Sequence, residues 1–134
     1  MSGKLKVVAL GMLLVFGSTQ SSVQSQGLNE VMRGKLANAQ QLLEAVVAVD
    51  YAGMERASSA LSRISETEIE SWQSSAQPEY VNQAAAFLSS VRGLREAIAK
   101  RDINAALPEY ASLVSSCARC HAYVRPSRQA SLER

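Results

Sequence analysis

The stretch LNEVMRGKLANAQQLLEAVV, residues 28–47, decides the fold. Leu28, Val31, Met32, Leu36, Ala39, Leu42, Leu43, Val46 and Val47 fall three and four apart, the period of one helix face. A face that broad has to be buried, and the rest of the chain supplies partners. Asp50 predicts the N-cap of a second helix, whose stripe is Met54, Ala57, Leu61 and Ile64. The polar, Ser-rich segment from Ser71 to Gln77 interrupts the pattern, and Pro78 marks a new start. A third stripe runs Val81, Ala84, Ala85, Leu88, Val91, Leu94 and Ile98, with Gly93 tolerated inside it at some cost in propensity. Asp102 caps a fourth helix, in which Pro108 predicts a kink. Alternating strand patterns, glycine-rich phosphate loops and internal repeats are absent from the sequence. Four amphipathic helices with short links predict an all-α protein, an antiparallel up-down-up-down four-helix bundle.

The N-terminus reads differently. Lys4 and Lys6 precede an apolar run from Val7 to Phe16, and a small, polar stretch from Gly17 to Gln26 follows. This is the layout of a secretory signal peptide, assigned to residues 1–25 with cleavage after Ser25. The apolar run is short for a bilayer, so no permanent membrane span is expected. What remains of the 134 residues is one small domain, 26–125, followed by a polar C-terminal tail, 126–134, expected to fray. The chain carries 14 Lys and Arg against 12 Asp and Glu; loss of Lys4 and Lys6 with the presequence makes the two equal. The slight basicity therefore belongs to targeting, and no nucleic-acid partner is expected.

The fourth stripe carries the chemistry. It continues through Ile103, Ala106, Leu107, Tyr110, Leu113 and Val114 into Cys117, Cys120, His121 and Val124. Cys117-Ala118-Arg119-Cys120-His121 contains the only two cysteines and the only histidine of the chain. C-x-x-C-H is the pattern of c-type haem attachment: two thiols add to the haem vinyl groups as thioethers, and the adjacent imidazole ligates iron. A structural zinc site wants four ligands and finds three thiol or imidazole donors here. A dithiol redox motif would be expected in a βαβ setting that this sequence lacks. One haem c per chain is the expected cofactor. Export agrees with it, since covalent attachment occurs on the outer side of an energy-conserving membrane, and the periplasm is the expected location.

An exported four-helix chain with C-x-x-C-H near the end of its last helix and an arginine four residues on, Arg125, resembles the cytochrome c′ family. The likeness covers Leu28 to Arg125, and VMRGKL at 31–36 resembles the family's distal-ligand region. The resemblance implies a small haem c protein that handles electrons or a diatomic gas, and a homodimer formed through the first two helices. In that family a methionine in the distal region accompanies low-spin carriers, and an apolar residue accompanies an open iron site.

The second axial position is the question that divides these functions. A second histidine is lacking, and the soft donors beyond the presequence are Met32 and Met54. Met32 lies about four residues into the first helix and His121 about four before the end of the antiparallel fourth, so their heights match. Met54 begins the second helix, at the other end of the bundle, and is expected to fill the core. Met32 is accordingly the candidate distal ligand. Arg125 either covers the proximal side near His121 or compensates the helix C-terminus. Arg33 and Lys35 are candidate propionate partners or simply a solvated face, and Trp72 packs either over the end of the bundle, the plainer role, or near the haem. The leading expectation is a one-electron carrier, not an enzyme, working with a redox partner protein. The alternatives are a five-coordinate module binding nitric oxide or carbon monoxide, and a thiol-disulfide enzyme using Cys117 and Cys120.

Overall fold

The structure is a computed structural model, and it describes residues 20–72 and 78–132, with side chains at 27–72 and 78–124. Four helices make up the fold: α1 Gln20–Val47, α2 Tyr51–Trp72, α3 Pro78–Ala99 and α4 Ile103–Leu132. Among the described residues there are no strands. The expected signal peptide falls mostly outside the described residues, which begin partway through it at Gln20.

The caps sit where the sequence places them. The Asp50 carboxylate accepts from Ala52 N at 3.1 Å and that of Asp102 from Ala105 N at 3.0 Å, each satisfying a first-turn donor that lacks a helical partner. Pro78 is the first residue of α3, where its missing N–H costs nothing.

Two helix ends differ from expectation. Helix α1 begins at Gln20, so one continuous helix spans the bond after Ser25. Helix α4 runs through Pro108 and on through Pro126 to Leu132, so Arg125 is not a helix end and the 126–134 tail is helical over most of its length. An interior proline removes one backbone donor and its ring crowds the carbonyl four residues back, a cost of about 3 kcal/mol that the rest of a long helix has to offset.

Successive helices pack side by side, α1 on α2, α2 on α3 and α3 on α4. The pairings run in opposite directions. Gly34 faces Ile64 while Gly53 faces Ala45, and Arg95 donates to Glu55 at 3.1 Å while Tyr80 reaches Glu68. A Cβ at Gly34 would lie 3.2 Å from Ile64 Cδ1, so this glycine permits the close approach of α1 and α2.

The core occupies the end of the bundle that carries the two short links. Leu42, Met54, Leu61, Val91, Leu94 and Leu113 are fully enclosed there. Met54 is thus the core filler expected of it. Tyr51 ties the two links together: its hydroxyl donates to Arg101 O at 2.8 Å, and the Arg101 guanidinium lies 5.4 Å from the centre of its ring. The remaining seam, between α1 and α4, lacks the close approach of the other three. Its bridging contact is a long hydrogen bond from Tyr110 Oη to Ala39 O at 3.4 Å.

Candidate functional site

Where α1 and α4 stay apart, at the end of the bundle away from the short links, the fold encloses a cavity of about 540 Å³. All four helices line it. Helix α1 contributes Met32, Arg33, Lys35 and Leu36; α2 contributes Glu68; α3 contributes Tyr80 and Phe87; α4 contributes Cys117, Cys120 and His121. The structure therefore brings six of the candidate residues, Met32, Arg33, Lys35, Cys117, Cys120 and His121, to one space. Met32 lines it from α1 and His121 from α4.

Cys117 and Cys120 are both free and half-buried. Burial raises both thiol pKa values, against a smaller opposite pull from the Lys35 ammonium, so the thiols are protonated at neutral pH. His121 follows them on the same helix and is exposed at the cavity edge. Arg125 lies one turn further along the α4 backbone; its side chain is outside the described residues.

Lys35 does not lie on a solvated face. Its side chain is 12% exposed, its ammonium pairs with Glu68, and it lies 4.5 Å from the centre of the Phe87 ring. Glu68 is 2% exposed and also accepts a hydrogen bond from Tyr80 Oη at 3.3 Å. Burial first, and then the Glu68 charge, push the Tyr80 phenol well above the ordinary tyrosine range. Trp72 stacks on Tyr80, a residue of the cavity wall, with centroids 4.1 Å apart, so it has a packing role. This Lys35–Glu68–Tyr80 group is the part of the site that sequence reasoning missed. A signal was present: Glu68 lies seven residues after Leu61, in register with the inward stripe of α2, where a carboxylate needs a partner.

No protein-family model, curated protein or solved structure matches this chain. Its chemistry is argued from its own residues. The cavity lies within the roughly 300–1,000 Å³ typical of small-molecule and cofactor sites, and most of its wall is apolar. Two free thiols three residues apart, an imidazole beside them and a thioether on the α1 wall of the same cavity form the donor set that haem c needs. The residues present fit that group.

Proposed function

We propose that this chain is an exported c-type cytochrome that carries one electron, with Cys117 and Cys120 as covalent tethers, His121 as proximal ligand and Met32 as distal ligand. One observation carries the reading: Cys117, Cys120 and His121 on α4 and Met32 on α1 line the same cavity. The charged presequence-like N-terminus supports export.

Haem c, when bound, supplies an iron that changes by one electron between its ferric and ferrous forms. The chain's own residues set the conditions. Cys117 and Cys120 would hold the group through two thioethers that tie α4 to it, each protonated thiol supplying the sulfur and the hydrogen that the addition to a vinyl group consumes. With the group held at Cys117 and Cys120, the adjacent His121 would be the residue to ligate it, without a search through other geometries. The Met32 sulfur, a soft donor, would as a ligand raise the potential relative to a second imidazole. Phe87 and Ala84, both buried, keep water from the wall. Lys35 brings a positive charge into this low-dielectric space, and Glu68 offsets it within the same pair.

Protein matured in a haem-exporting host should retain haem after denaturation in acid and organic solvent, and Cys117→Ala with Cys120→Ala should release it. The isolated ferric protein should be low-spin. Met32→Ala should turn it high-spin and let the reduced form bind carbon monoxide readily. A wild-type protein already high-spin, binding that gas without displacing a ligand, replaces the electron carrier with the gas-binding reading. Wild-type protein that loses all its haem on denaturation removes both.

A further inference from the structure

The outer edge of the α1–α4 seam carries large apolar side chains that the fold does not bury. Leu36 is 59% exposed, Leu43 47% and Val47 76% on α1, and Leu107 48% and Val114 46% on α4. Leu36, Leu43 and Val47 are seven and four residues apart, so they form one line along α1, and Leu107 and Val114 form a second line along α4. The hydrogen bond from Tyr110 to Ala39 sets these two positions at about the same height. Because α1 and α4 run in opposite directions, Leu43 then lies level with Leu107 and Leu36 level with Val114. The two lines make one patch, and charge is sparse within it: between Leu36 and Val47 the only charged residue is Glu44, and between Leu107 and Val114 only Glu109, which sits against Gly93 of α3. Depletion of charge around apolar side chains marks the centre of an interface.

The patch is complementary to itself. Arg33 and Glu44 are eleven residues apart, three helical turns, so they share one flank of the α1 line about 16 Å from each other. Both are exposed, and neither forms an ion pair within the chain among the described residues. A two-fold axis crossing α1 between Ala39 and Gln40 sets Leu36 against Leu43 of a second copy. It leaves Arg33 and the second copy's Glu44 about 3 Å apart along the helix axis, within reach of the arginine side chain, and the symmetric pair likewise. At the same height that axis crosses α4 near Tyr110, where it sets Leu107 against the second copy's Val114. One axis satisfies both apolar lines and both charges, as an isologous interface requires.

We infer that the α1–α4 seam is the surface on which a second copy of this chain docks, with its α1 and α4 antiparallel to the first and the Arg33–Glu44 pair formed twice across the two-fold axis. This surface differs from one built on the first two helices. It lies beside the mouth of the cavity, which Arg33 and Leu36 also line.

Sedimentation of the purified protein over a range of concentrations tests the assignment, with circular dichroism confirming that each variant is folded. The wild-type chain should form a dimer. Arg33→Glu and Glu44→Arg should each raise the Kd by at least about tenfold, because each sets like charges together twice. The double reversal should restore association, and Leu43→Glu should abolish it. A chain that stays monomeric at all concentrations overturns the inference. So does a dimer indifferent to Leu43→Glu and to both single reversals, or a double reversal no stronger than the singles.

Discussion

Lys35 shows how one side chain changes meaning between a linear pattern and a fold. Beside Arg33 on a helix it reads as a solvated charge, whereas in the structure Arg33 is exposed and Lys35 is paired with Glu68 against Phe87. Periodicity assigns a residue to a face, but it does not say which neighbour that face meets. The Glu68 carboxylate is nearly enclosed, so removing its partner leaves a buried charge uncompensated. Lys35→Met should therefore lower stability to urea by about 3 kcal/mol, the low end for breaking a buried pair, because Lys35 keeps some contact with water. Combining it with Glu68→Leu should recover most of that loss, since the pair then gives way to apolar contacts. A Lys35→Met protein as stable as the wild type would show that Glu68 is well solvated. Cys117, Cys120 and His121 were legible for the opposite reason. Their spacing along one helix is local, and tertiary packing decides only what they face.

At the scale of elements, both short links use the same C-terminal motif. Val49 N bonds Val46 O and Asp50 N bonds Ala45 O; Arg101 N bonds Ile98 O and Asp102 N bonds Ala97 O. These paired bonds end α1 and α3 in Schellman motifs, and the aspartate that closes each motif caps the next helix. The motif needs a left-handed residue, and Val49 and Arg101 adopt φ of 54° and 53°. A β-branched side chain at such a φ is strained, and the sequence offers no glycine there to announce it. The aspartates were readable as N-caps; the left-handed residues before them were not, because their cost is met by the packing of helices on either side. Val49→Gly should raise stability by about 1 kcal/mol in urea denaturation, through relief of this strain. Val49 is exposed, so little packing is lost. A decrease in stability would mean that the valine holds the link through contacts that outweigh its backbone strain.

At the scale of the whole molecule, the bundle divides its work between two ends. The end with the short links is packed solid, and the other holds the cavity in the loose α1–α4 seam. The two methionines report on this division. Met54→Ala should cost about 2–5 kcal/mol, as deletion of a fully buried side chain does, and leave the visible spectrum of the isolated protein unchanged. Met32→Ala should change the spectrum with a smaller loss of stability, because Met32 lines a cavity rather than a packed core. Equal spectral effects from both would remove the basis for separating them. The sequence by itself determined four helices, their caps, their antiparallel order and the grouping of Cys117, Cys120 and His121, because period, capping and short links act within or between neighbouring segments. The inward burial of Glu68 and Lys35, the exposure of Leu36, Leu43, Val47, Leu107 and Val114, and the cavity itself were decided by tertiary structure alone. Each stripe is wider than the surface its neighbours can cover, and only the relative rotation and separation of packed helices settles which residues remain uncovered.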